Sequence, residues 1–173
     1  MMKIFLIGFM GSGKTTFGKK LAKSLDYPFC DLDHQIVDQV NQSIPAYFAQ
    51  HGELAFRELE RKVLQNSNYP SDCVISCGGG TPCFFDNMDW MNKQGLTVYL
   101  YMTAAGLAKR LEPGKHQRPL LKDLDQGAMI GFIETKLQER RSFYERAMLQ
   151  VEGLGVNPEK VKELILVLKL DTI

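Results

Sequence analysis

Residues Gly8 to Thr15 read G-F-M-G-S-G-K-T, the spacing G-x-x-x-x-G-K-[ST], and no other stretch of the chain has so few meanings. Its flanks fit. Lys3 to Ile7 is a short apolar, β-rich run, and Phe17, Leu21 and Leu25 recur at i, i+4 and i+8 after the loop. A strand, a phosphate-binding loop and a helix are therefore predicted in that order. Glycines let the backbone turn inward until its N–H groups converge on an anion, where a side chain would block the approach. The helix adds the unpaired N–H groups and positive dipole end of its first turn. Lys14 is then placed to reach the β- and γ-phosphates, and the Thr15 hydroxyl to ligate Mg2+. The alternative, a glycine-rich turn of no consequence, is disfavoured by the strand and helix on either side.

The rest of the chain alternates in the same way. Strands are predicted at Tyr27–Asp33, Cys73–Ser76, Thr97–Met102 and Met148–Glu152. Ser43 is the expected N-cap of a helix with Pro45 in its first turn. From Gly52 a helix is expected to about Gln65, with its buried stripe on Ala55, Leu59 and Val63. Further helices are expected from Phe84 to Lys93, from the Thr103 cap to Glu112, from Gln126 to Arg146 and from Pro158 to about Lys169, with a loop over Pro113–Asp125. Strands without in–out alternation, set between helices, imply an α/β chain with a parallel sheet covered on both faces. At 173 residues one domain is expected. Ligands of such sheets bind beyond the carboxyl ends of the strands. Gly8–Gly13, Asp31 with Asp33, and Gly78–Gly80 all follow strands at that edge.

Charge narrows the partners. A net charge of +1 provides no basic field for nucleic acid, while small anions held by a few Arg and Lys remain open. No apolar run approaches the roughly 20 residues of a membrane span. The four cysteines form no C-x-x-C pair, which suits a reducing compartment and a cytoplasmic location. A zinc site from Cys73, Cys77, Cys83 and His116 can be drawn but is disfavoured.

Several side chains at the predicted edge carry chemistry. Asp31 or Asp33 would anchor the Mg2+ held by Thr15, and residues two apart on a strand share a face; otherwise they cap a helix near His34. Arg57 and Glu60 lie at i, i+3, with Glu53 one turn earlier. They form either a solvated ladder or a guanidinium braced to grip a carboxylate. Three glycines at a strand end, Gly78-Gly79-Gly80, weaken the sheet unless backbone must pass close to something. Arg118 sits in a basic, Pro- and Gly-rich loop suited to a lid over phosphates. Arg140 shares a stripe with Ile130, Ile133, Leu137 and Tyr144, so its guanidinium must find an anion or snorkel away.

Taken together, Gly8–Thr15, Asp31-Leu32-Asp33, Phe56-Arg57 with Glu60, Gly78–Gly80, Arg118-Pro119-Leu120 and Arg140 four residues before Tyr144 resemble shikimate kinase from Lys3 to about Lys169. The resemblance implies a three-layer P-loop NTPase fold of the nucleoside-monophosphate-kinase type, with a five-stranded parallel sheet in the order 2-3-1-4-5 and a lid. It implies ATP-dependent phosphorylation of the shikimate 3-hydroxyl, on the chorismate route to aromatic amino acids. By matching position, Gly11, Ser12, Gly13, Lys14, Thr15, Thr16, Arg110 and Arg118 would bind ATP. Asp33, Arg57, Gly78, Gly79, Gly80 and Arg140 would bind shikimate, with Glu60 in support. Lys14, Asp33 and Arg118 would be catalytic, Asp33 being the candidate proton acceptor. Mg2+ would be held by Thr15 directly and by Asp31 through water. The acceptor-binding region would span about 33–62 and the lid about 112–125. A monomer is expected, with no nucleic acid or membrane partner.

One departure from the family pattern stands out. Members often carry an Arg after the fifth strand that packs on adenine, whereas this chain reads Gly153-Leu-Gly-Val-Asn157-Pro158, leaving Arg110 available as a stacking partner and backbone contact around Asn157 as the alternative. Among rivals, a GTPase would need N-K-x-D, and Asn92-Lys93-Gln94 ends in Gly95. Kinases of gluconate or nucleoside monophosphates would not explain the glycine triplet beside Asp33 and Arg57. A non-catalytic ATP-binding module is the reading from a different class, and the presence of Lys14, Thr15, Asp31 and a hydroxyl acceptor opposes it.

Overall fold

The structure, a computed structural model, describes residues 1–118 and 120–170. Pro119, one of the residues carrying the family likeness, therefore lies outside the described residues. Five strands, β1 (Lys3–Ile7), β2 (Phe29–Asp31), β3 (Cys73–Ser76), β4 (Gly95–Tyr101) and β5 (Leu149–Glu152), form one parallel sheet in the order β2-β3-β1-β4-β5. The fold class and strand order are those expected. β1 lies at the centre, and all its residues after Lys3 are buried.

The lack of in–out alternation has a direct cause. Ile4 and Leu6 pack with Val98 and Leu100 under α1 (Lys14–Leu25) and α7 (Pro158–Leu170), through Phe17, Leu21, Val161 and Ile165. Phe5 and Ile7 point the other way, onto α3 (Ile44–Asn66), α4 (Asn87–Gln94) and the end of α6 (Gln126–Tyr144), through Phe56, Leu64, Met91 and Tyr144. A smaller cluster joins Phe9 to α5 (Ala104–Leu111) and the start of α6, and fully buried Leu121 ties the segment between those helices to it. Caps fix the helix starts: Ser43 accepts from Ala46 N, Thr103 from Gly106 N and Asp125 from Ala128 N. Each is worth about 1 kcal/mol.

Four expectations need correction. The second strand is shorter than predicted, because Asp31 ends it by capping α2 (Leu32–Val40) through bonds from Asp33 N and His34 N. Asp33 thus stands in the first turn of a helix rather than on the strand. Along α3 the chain kinks at Gly52, φ 80° and ψ 175°, where the second helix was expected to begin, but the buried stripe is Phe56, Arg57, Glu60, Val63 and Leu64 rather than Ala55, Leu59 and Val63. After the glycines a short 3-10 turn, Thr81–Cys83, precedes α4, which starts three residues later than expected. The predicted loop opens with a 3-10 helix, Glu112–Gln117. Among the described residues no helix is long and apolar enough to cross a membrane.

Candidate active site

The carboxyl ends of β1, β2 and β3 open into a cavity of about 420 Å3 lined by Met10, Lys14, Thr15, Asp31, Asp33, Ser76, Gly78, Gly79 and Arg118, among others. The loop from Gly8 to Gly13 forms its floor and hands the chain to α1 at Gly13. Gly13 has φ 94°, a left-handed conformation that an L side chain resists. Lys14 follows, 8 % exposed, its Nζ donating to the carbonyls of Gly8 at 2.8 Å and Phe9 at 2.9 Å. Burial lowers its pKa to about 8, against the pull of Asp33, Cys77 and Asp31.

Beside it Thr15 Oγ1 donates to Asp31 Oδ2 at 3.0 Å and lies 3.5 Å from Ser76 Oγ. Asp31 therefore does both things open to it: one oxygen caps α2 and the other faces Thr15. These three oxygen groups suit a hard cation that keeps much of its water, as Mg2+ does. Among the described residues no cluster of three or more His, Cys, Asp or Glu could hold a metal, so the drawn zinc site does not form.

Asp33 lines the same cavity from α2. Its recessed place in the cleft, and then the Asp31 and Glu60 carboxylates, push its pKa up to about 6, with Lys14 pulling the other way. The side chain remains open to solvent, so the shift bears on its proton affinity more than on stability.

The glycine triplet is the joint of the site. A Cβ on Gly78 would lie 2.9 Å from Glu60 Oε1 and 3.2 Å from Asp33 Oδ1. One on Gly79 would lie 3.2 Å from the Met10 backbone nitrogen and 3.4 Å from Arg140 Nη1. One on Gly80 would be driven to 2.6 Å from Arg57 Nη2, which is why that residue cannot carry a side chain without moving the guanidinium. Three successive positions thus lie against the side chains of Glu60, Asp33, Arg140 and Arg57 and the backbone of the loop. Gly79 O also accepts from Tyr144 Oη at 2.6 Å, anchoring the turn to α6.

Arg57, Gly80 and Arg140 do not line the cavity themselves; they adjoin it across this turn. Arg57 is almost fully buried, with Nη1 donating to Glu60 Oε2 at 2.8 Å and Nη2 to the exposed Glu53 at 3.3 Å. Its guanidinium lies 4.3 Å from the Phe84 ring centroid, 5.2 Å from Phe56 and 5.8 Å from Phe48. Of the two readings open for this pair, the solvated ladder is excluded. Arg140 lies over the Phe9 ring, on the stripe expected for it.

A second cavity, of about 450 Å3, lies on the other side of the loop, between Gly11, Ser12, Gly13, Thr16, Arg110, Gly153, Gly155 and Val156. Arg110 reaches from α5 to donate to Ser12 O at 3.1 Å. Ser12 is buried, and its hydroxyl has no partner among the described residues. Arg118 donates to Gly114 O at 2.8 Å. All the singled-out residues therefore fall at one sheet edge. Ser76 and Thr81 went unremarked in the sequence. Ser76 had one signal, a polar end to an otherwise apolar strand; Thr81 had none.

Residues 10–169 match the family model described as shikimate kinase. A shikimate kinase of Parabacteroides distasonis is 47% identical over 153 residues, 88% of each chain. The crystal structure of a shikimate kinase from Bacteroides thetaiotaomicron superposes with a TM-score of 0.87 at 38% identity, covering 94% of this chain and 97% of that one. One from Acinetobacter baumannii, in complex with shikimate, gives 0.84 at 32% identity, covering 98% and 96%.

Proposed function

The chain belongs to the shikimate kinase family, and on that premise we propose that it moves the γ-phosphoryl group of ATP to the 3-hydroxyl of shikimate, giving shikimate 3-phosphate and ADP. The observation that carries this reading is the glycine turn, which touches the phosphate loop, Asp33, Arg57 and Arg140 within three residues. Phosphoryl transfer asks for in-line placement and neutralised charge rather than covalent chemistry from the protein. Gly11, Ser12, Gly13 and Thr16 cradle the triphosphate, and Lys14 neutralises charge on its β- and γ-oxygens. Arg118 closes on the phosphates from the lid at about 112–125. Thr15, and Asp31 through water, would hold Mg2+, which would supply further charge neutralisation there. Arg57 and Arg140 grip the substrate carboxylate, and Glu60 steadies Arg57. Asp33, with Gly78, Gly79 and Gly80, meets the ring hydroxyls, and Asp33 accepts the proton of the attacking one. Arg110 packs on adenine beside Gly153 and Gly155. The chain works as one domain, a cytoplasmic monomer without nucleic acid or membrane partners; light scattering that gave the mass of two chains would contradict the monomer.

A coupled ADP-release assay decides the main point. Turnover is expected with shikimate and not with gluconate or nucleoside monophosphates. Turnover only with those rivals would overturn the reading, and binding of ATP without any turnover would favour a nucleotide-sensing module. Replacing Arg57 or Arg140 with Ala should raise the shikimate KM by about tenfold to a hundredfold, as loss of a charge-assisted pair predicts, with the ATP KM little changed. Equal effects on both substrates would make these arginines structural.

Lys14 adds a pH signature. Phosphates favour its ammonium form, so the nucleotide-bound pKa must exceed the value of about 8 in the empty loop. Affinity for a non-hydrolysable ATP analogue is then full below pH 8 and falls as pH rises past it, by up to about tenfold per unit. Calorimetry in buffers of differing ionisation enthalpy should record proton uptake on binding near pH 8.5. Affinity flat from pH 7 to 9.5 would show that Lys14 is charged throughout.

A further inference from the structure

Thr81 follows the glycine run, and its side chain is fully buried. Its hydroxyl donates to Glu60 Oε1 at 2.6 Å. Glu60, 1 % exposed, turns its other oxygen, Oε2, to Arg57 Nη1. A chain of hydroxyl, carboxylate and guanidinium therefore runs from the turn to the group assigned above to the substrate carboxylate. The backbone of Thr81 is fixed on both sides. Its N–H donates to Gly78 O at 3.2 Å, and its carbonyl accepts from Nδ2 of the buried Asn87 at 3.0 Å.

We propose that Thr81 is a positioning residue for the acceptor substrate. By donating to Oε1, it holds Glu60 so that only one carboxylate oxygen faces Arg57. An arginine and a carboxylate left to themselves favour two parallel N–H···O bonds. Here the pair makes one, on Nη1. The opposite edge of the guanidinium, Nε with Nη2, meets only the exposed carboxylate of Glu53 at 3.3 Å from Nη2, and Nε has no partner among the described residues. That edge is a ready fork for a second, incoming carboxylate, which would displace Glu53. Without the Thr81 hydroxyl, Oε1 is buried with a donor missing and turns to the guanidinium that the other oxygen already meets, that of Arg57. The fork is then drawn onto Glu60 and away from the substrate.

This inference rests on Arg57 binding the shikimate carboxylate, so the test includes Arg57→Ala. Steady-state kinetics of Thr81→Val, which keeps the shape and removes the donor, should show the shikimate KM raised about tenfold, with kcat and the ATP KM within about twofold. Thr81→Ser should restore the wild-type KM. An unchanged shikimate KM in Thr81→Val, a parallel rise in both KM values, or a Ser variant that behaves like Val would each overturn the brace. If Thr81→Val does not fold, Glu60→Gln reads the same link from its other end, and there too a shikimate KM at the wild-type value overturns it. Should Arg57→Ala leave the shikimate KM unchanged, the carboxylate assignment fails. A raised KM in Arg57→Ala beside a normal one in Thr81→Val removes the brace alone.

Discussion

Lys14→Ala should lower turnover by about a thousandfold or more, the scale of losing a preorganised charge aimed at the transition state. The expectation comes from where the ammonium is held. It is almost excluded from water, and two loop carbonyls satisfy it. Among the described residues no other cation is held inside the loop in this way: Arg118 donates to Gly114 O and Arg110 to Ser12 O. The far-UV circular dichroism should stay native-like, because Lys14 is the first residue of α1 rather than part of its packed stripe of Phe17, Leu21 and Ala22. A variant that keeps a tenth of the wild-type kcat would show that this lysine does not carry the charge of the transferring group.

Asp33→Asn is expected to cost about a hundredfold to ten-thousandfold in kcat, the range for removing a general base. An amide keeps the shape and can still accept a hydrogen bond, so the shikimate KM should move far less than kcat. The wild-type pH profile provides an independent check. With the Asp33 pKa raised to about 6, the carboxylate is available above that value and is lost as pH falls through it. The rate should therefore decline below about pH 6, and the Asn variant should lack that limb. A profile of identical shape in the two proteins would leave Asp33 an orienting group only.

What could be read beforehand, and what could not, divides along physical lines. The loop from Gly8 to Thr15 was legible because its requirements are local: backbone approach, one ammonium, one hydroxyl. Arg140 was legible because a guanidinium on an apolar stripe is anomalous in any fold. The stripe of α3 was misread for the converse reason. Arg57 and Glu60 occupy core positions, and hydropathy assigns charged residues to the surface until their partners are known. The misplacement of Asp33 came from Asp31, whose cap ends the strand two residues before Asp33. Thr81 could not have been found, since a threonine after glycines reads the same whether its hydroxyl meets water or a buried carboxylate. The strand order rested on family likeness, as crossover choices leave no mark in local patterning.

The tightness of the glycine turn limits how a protein of this build could change its diet. A methyl group would press on Glu60 and Asp33 at Gly78, on the phosphate loop and Arg140 at Gly79, and on the Arg57 guanidinium at Gly80. New acceptor preferences must therefore arise by redrawing the outer helices around a wall that stays bare.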